Sequence, residues 1–203
     1  VADSLRDDDK YGYTWEEYER LKLRGGPQFA AVRAALRIGG RLSKGIELAW
    51  ESGFDSGRSL DYVYENQPQG SSRLGKFIDA NYLNSIGWRG IRQRKENLEE
   101  ALRKVIELRH AAGEPIRILD IAAGAGRYVL ETMRALTSIP MSATLRDNQP
   151  ENVAAARALA AEFGLENVSV GVGDEFDRVA LAALTPHPTI GIVAGLYDLF
   201  PSN

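Results

Sequence analysis

Residues 115–128 read PIRILDIAAGAGRY, and the fold turns on them. The first half is a short apolar run, interrupted by Arg117 and ending at Asp120 and Ile121. A run of that length closed by turn residues is the signature of a buried strand. Gly124 and Gly126 then make a turn, and RYVLETMRAL (127–136) continues at once with helical spacing. Glycines at such a strand-to-helix turn let the backbone pass close to a bound ligand and offer it amide hydrogens.

The same alternation continues downstream. MSATLRD (141–147) predicts a second strand, and NQPENVAAARALAAEFG (148–164) an Ala-rich helix stopped by Gly164. ENVSVGVGD (166–174) predicts a third strand and FDRVALAAL (176–184) a short helix. PTIGIVAGLYDLF (188–200) predicts a fourth strand and its exit. Strands alternating with helices build parallel βαβ units. The fold class is therefore α/β: a helical N-terminal region, then a partial Rossmann-like doubly wound parallel sheet of order 3-2-1-4. Strand four is apolar on both faces, as a central strand would be. Further C-terminal strands are expected beyond residue 203, and the chain is expected to be a fragment that is not a competent enzyme by itself.

Ligands of such sheets sit at the carboxyl ends of the strands, and three of those ends carry an acid: Asp120, Asp147 and Asp174. A carboxylate at Asp147 can accept both hydroxyls of a ribose; its bland alternative is an N-cap for the next helix. Asp174, followed by Glu175 and Phe176, can meet an adenine amino group; its bland alternative is a solvated turn. A nicotinamide dinucleotide fold is the rival, but its fingerprint is G-x-G-x-x-G/A. Here Val129 stands where the third glycine belongs.

The pattern Asp120-Ile121-Ala122-Ala123-Gly124-Ala125-Gly126, with the two later acids, resembles class I S-adenosylmethionine (SAM)-dependent methyltransferases over about residues 114–203. Ala122 departs from that family's pattern, which has a glycine there. The resemblance implies SAM as cofactor, with Asp120 near the methionine moiety, Asp147 at the ribose, Asp174 with Glu175 at the adenine, and Ala122, Gly124 and Gly126 lining the turn. Methyl transfer from a sulfonium is an in-line displacement, so the protein chiefly aligns and desolvates the reactants. No residue stands out as a base. Tyr197, after strand four, is the one catalytic candidate, while Tyr128 reads as a packing residue. A non-catalytic SAM- or nucleotide-binding module is the alternative function.

Residues 1–112 are set apart as a helical N-terminal or lid region, and 113–203 as the SAM-binding half. Thr14 and Glu17 make a capping box for the run TWEEYERLKL, which Gly25-Gly26-Pro27 stops. One helix is expected over 29–50, a loop over 51–75 with DYVY (61–64) as an ordered island, and a long helix over about 88–112. The segments GFDSGRSLDYVYENQPQG and LGKFIDANYLNSIGWRGIRQRKENLEE are similar to the lead-in of a bacterial methyltransferase family often fused behind an α/β-hydrolase domain. Tyr82, Asn84, Trp88, Arg89 and Arg92 form a lid motif or, more simply, an anchor.

Composition narrows the partners. The formal charge of −3 gives no global pull toward nucleic acid, and a chain without cysteine has no thiolate site. With only His110 and His187 as imidazoles, no metal is expected. Arg33, Arg37, Arg41 and Lys44 share a helical face that could meet an anionic membrane, although a solvated face is the ordinary reading. The expected setting is cytoplasmic and the acceptor a small or lipid-like molecule.

Overall fold

The computed structural model describes residues 13–22 and 42–196. The Gly25-Gly26-Pro27 stop, the Arg33, Arg37 and Arg41 face, and Tyr197 lie outside the described residues. The chain falls into two compact units that divide between Asn97 and Leu98.

In the first unit, α1 (Trp15–Lys22) starts as the sequence predicts. The Thr14 amide donates to Glu17 Oε2 at 3.0 Å, and the Glu17 amide returns a bond to Thr14 Oγ1 at 3.2 Å. Of the long helix expected over 29–50, residues 29–41 lie outside the described residues; over the rest, a helix, α2 (Lys44–Ser52), starts afresh at Ser43. Ser43 is extended and its hydroxyl caps the Ile46 amide, so a new helix nucleates there.

The stretch 51–75, expected to be loop-rich with DYVY as an ordered island, is more helical than that, and DYVY lies within a helix. The stretch holds α3 (Gly57–Glu65) and the start of α4 (Arg73–Leu83). Each is opened by a serine, Ser56 and Ser72, whose hydroxyl accepts the amide three residues on. Asn66, left-handed at φ 51°, closes α3. Leu48, Tyr62, Val63 and Leu83 form the apolar centre, with Tyr82, Trp88 and Ile91 packed against it. Beneath them lies Asp79, with no exposed surface. Its Oδ1 accepts from Ser43 Oγ at 2.5 Å and the Gly45 amide at 2.9 Å. Its Oδ2 accepts from the Tyr62 hydroxyl and, at 2.8 Å, from the Gln69 amide. Burial, and then Asp79 itself, push the Tyr62 phenol well above its ordinary range.

The helix α5 (Ile86–Ala111) runs through the division. Its later turns belong to the second unit, because Leu98, Leu102 and Ile106 pack into that unit's core.

The second unit alternates β1 (Arg117–Ile121), α6 (Arg127–Ala135), β2 (Ser142–Asp147), α7 (Pro150–Glu162), β3 (Val168–Val172), α8 (Arg178–Ala182) and β4 (Ile190–Ile192). All pairings are parallel and the order is β3-β2-β1-β4, the Rossmann-like arrangement read from the sequence. Ile118, Leu130, Val129, Ala143, Leu145 and Ala156 fill the core. β4 is only three residues long and pairs with β1 through Ile118–Asp120. Among the described residues no helix is long and apolar enough to cross a membrane.

Candidate functional site

The parallel register sets Asp120 of β1 beside Leu145 of β2, so both strands end together, at Ile121 and Asp147. The turn between them is bound to β2: the Ala123 amide donates to the Arg146 carbonyl at 3.0 Å. Ala122, Gly124 and Gly126 all take left-handed backbone, at φ 56°, 58° and 64°. At Gly126 this is matched by lack of room, since a Cβ would sit 2.5 Å from Leu145 Cδ1. At Ala122 a residue with a Cβ holds the strained conformation itself.

Asp120 is completely buried. The Tyr128 hydroxyl, from the first turn of α6, donates to its Oδ2 at 2.6 Å, while its Oδ1 has no hydrogen-bond partner. Burial, helped by the charge of Asp147, raises the carboxyl to about 7, and the Tyr128 bond opposes that rise. Tyr128 is thus more than the packing residue it resembled in sequence. Its phenol lies eight residues from its acceptor, and nothing in the sequence marks so specific a contact across a turn.

Asp147 is 7% exposed. Its Oδ2 accepts from the Gly124 amide at 2.8 Å. Its Oδ1 accepts from the Gln149 amide at 2.9 Å and Asn152 Nδ2 at 3.0 Å. The N-cap of α7 is Gln149, so Asp147 instead ties the glycine turn to the start of that helix. Asn152 is a third member that sequence reasoning missed. It reads as an ordinary polar position in the first turn of a helix.

Asp174 stands apart from this network. It is exposed, and its Oδ1 accepts the Phe176 amide at 2.8 Å, as in a solvated turn. Glu175 Oε1 accepts from Asn148 Nδ2 at 3.0 Å, and its Oε2 is buried without a partner. Glu175 is thereby joined to the residue that follows Asp147. Of the lid motif, Tyr82 and Trp88 pack edge to face at 5.6 Å, Arg89 pairs with Glu17 at 2.5 Å, Arg92 donates to the Leu83 carbonyl at 2.6 Å, and Asn84 caps α4. Among the described residues no group of His, Asp and Glu could hold a metal ion.

The site thus unites a buried carboxylate with a free oxygen, a second carboxylate, and a turn of left-handed residues. Comparison with known proteins places it in a family. Residues 1–203 match the model of a family described as "Putative methyltransferase". The chain belongs to this methyltransferase family. The chain is 45% identical over 190 residues to the "Uncharacterized protein YnbC" of Escherichia coli (strain K12). The match covers 89% of the chain and 32% of the relative, so the chain spans about a third of the length of that curated relative. A structural match covers 74% of the chain and 44% of the S-adenosylmethionine-dependent methyltransferase SibL in its apo form, at a TM-score of 0.35 and 20% identity.

Proposed function

We propose that the second unit binds SAM at the carboxyl ends of β1, β2 and β3, and that the whole protein uses it to methylate an acceptor. The observation that carries this reading is the buried Asp120, whose Oδ1 lacks a partner beside a turn of left-handed residues. A buried carboxylate oxygen left unpaired is costly, and a cationic ligand group removes the cost. The α-ammonium at the methionine end of SAM has that chemistry. Val129, with no exposed surface, fills the place where a dinucleotide fold carries its third glycine.

The residues divide the work by position. Asp120 holds the ammonium, with Tyr128 fixing one of its oxygens. The turn through Ala122, Gly124 and Gly126 keeps side chains away from the ligand's path. Asp147 accepts a ribose hydroxyl, and Asp174 and Glu175 stand at the end of β3 for the adenine. The cofactor supplies an electrophilic methyl group on a sulfonium, so the chain's own task is alignment and exclusion of water. Tyr197 remains the candidate to face the reacting atoms, and the acceptor is a small or lipid-like molecule.

Calorimetric titration with S-adenosylhomocysteine, NAD and ATP side by side tests the reading. Heat with S-adenosylhomocysteine alone is the expected outcome. Heat with NAD and none with S-adenosylhomocysteine overturns it.

A further inference from the structure

We propose that Tyr128 is a positioning residue that holds one oxygen of Asp120 and leaves the other open to a cationic ligand group, so that the protein recognises the amino-acid end of the cofactor through a tyrosine–aspartate pair. The inference rests on the SAM reading above and goes beyond it, because it assigns Tyr128 a part in recognition.

The geometry is specific. Tyr128 is 5% exposed and sits in the first turn of α6, directly after the glycine turn. Its hydroxyl reaches back 2.6 Å to Oδ2 of Asp120. One oxygen is thereby held and the other, Oδ1, is left buried without a partner. A hydrogen bond to a carboxylate favours its charged form. Every other influence on Asp120 works the opposite way. It is wholly buried, and the neighbouring charge, Asp147 at the end of β2, is of like sign.

Among the described residues, no cation is among the influences on its charge. On β4 the residue paired with Asp120 is Ile192, which carries no charge. On α6, Arg127 is paired with Glu131 at 3.5 Å. The carboxyl therefore titrates near neutrality, at about 7, with Tyr128 as the group that opposes a further rise.

The sign follows. Only the ionised carboxylate attracts an ammonium, so affinity for a ligand that carries one should rise with pH through about 7. Removing the phenolic hydrogen moves that rise to higher pH.

The experiment compares the intact protein with Tyr128→Phe and Asp120→Asn. Two probes are titrated between pH 5.5 and 8.5: S-adenosylhomocysteine, and 5′-methylthioadenosine, which has the nucleoside and sulfur but no amino acid. For Tyr128→Phe the expected result is about fivefold weaker S-adenosylhomocysteine binding at pH 7, a rise displaced by about one pH unit, and recovery toward the unsubstituted protein at pH 8.5. Methylthioadenosine binding should be unchanged. Asp120→Asn should abolish the pH dependence for S-adenosylhomocysteine, which keeps the idea testable if Tyr128→Phe does not fold. An equal loss for both probes, or an unmoved pH profile, shows that Tyr128 is merely structural and overturns the proposal. If the unsubstituted protein binds neither probe, the cofactor reading itself fails and takes this inference with it.

Discussion

The amide of Gly124 donates a 2.8 Å hydrogen bond to Oδ2 of Asp147, across 23 residues of chain. That bond ties the turn after β1 to the end of β2. It makes Asp147 both a structural brace and a ligand candidate, so its two roles have to be separated by experiment.

Asp147→Ala is expected to weaken S-adenosylhomocysteine binding by about 1–3 kcal/mol, the scale of a charge-assisted hydrogen bond left unmade. It should also lower the melting temperature, because the Gly124 and Gln149 amides and the Asn152 amide group lose their acceptor. Calorimetry and thermal unfolding on the same samples distinguish the effects. A lower melting temperature with unchanged affinity leaves Asp147 as a brace alone.

The same hydrogen bonds limit what Asp147 can read. Oδ1 already accepts twice, and Oδ2 once. An oxygen with two lone pairs has one acceptor position left, on Oδ2. The carboxylate can therefore take one ribose hydroxyl in this arrangement, where the sequence suggested two. The 2′-deoxy and 3′-deoxy forms of S-adenosylhomocysteine should accordingly differ: one should lose about 1 kcal/mol or more in affinity and the other little. Equal losses in competition binding would mean that the network around Oδ1 opens when ligand enters.

The turn gives a pair of opposed substitutions. Ala122 holds φ 56°, so Ala122→Gly should relieve strain and stabilise the fold by about 0.5–1 kcal/mol. Gly126→Ala adds a Cβ at φ 64° with Leu145 Cδ1 only 2.5 Å away, and should destabilise by about 1–3 kcal/mol. Denaturant midpoints measure both. A destabilised Ala122→Gly would show that the alanine methyl packs usefully in the turn.

In the first unit, Asp79→Ala should be far more damaging than any surface change. It strips four donors, on Ser43, Gly45, Tyr62 and Gln69, of their acceptor. The expected cost is about 3 kcal/mol or more, and Asp79→Asn should cost less because it keeps the shape and one oxygen acceptor. Urea unfolding followed by tryptophan fluorescence reads the difference. Equal midpoints for the unsubstituted protein and Asp79→Ala would remove Asp79 as the clasp of α2, α3 and α4.

These outcomes track what could be read from the chain. Strands such as RILDI and SATLRD declare themselves because a buried parallel strand needs apolar residues in a short run, and glycine follows where the backbone must turn. The acids at their ends were visible for the same reason. The first unit was harder. α3 and α4 are short and polar, and their starts depend on single serines that look the same in a loop. Asp79 was illegible: hydrophobic periodicity treats a buried carboxylate as an interruption, although here four donors converge on it. The Tyr128–Asp120 bond was hidden likewise, since it depends on the angle at which α6 leaves the turn.

The most direct test of the central claim is to titrate S-adenosylhomocysteine into isotope-labelled protein and follow each backbone amide by nuclear magnetic resonance. The account expects the largest shifts at Ala122 to Gly126, at Asp147 to Gln149 and around Asp174, with Gly124 the most affected because its amide is bound to Asp147. Shifts confined to the first unit, or a spectrum unmoved by saturating ligand, would contradict it.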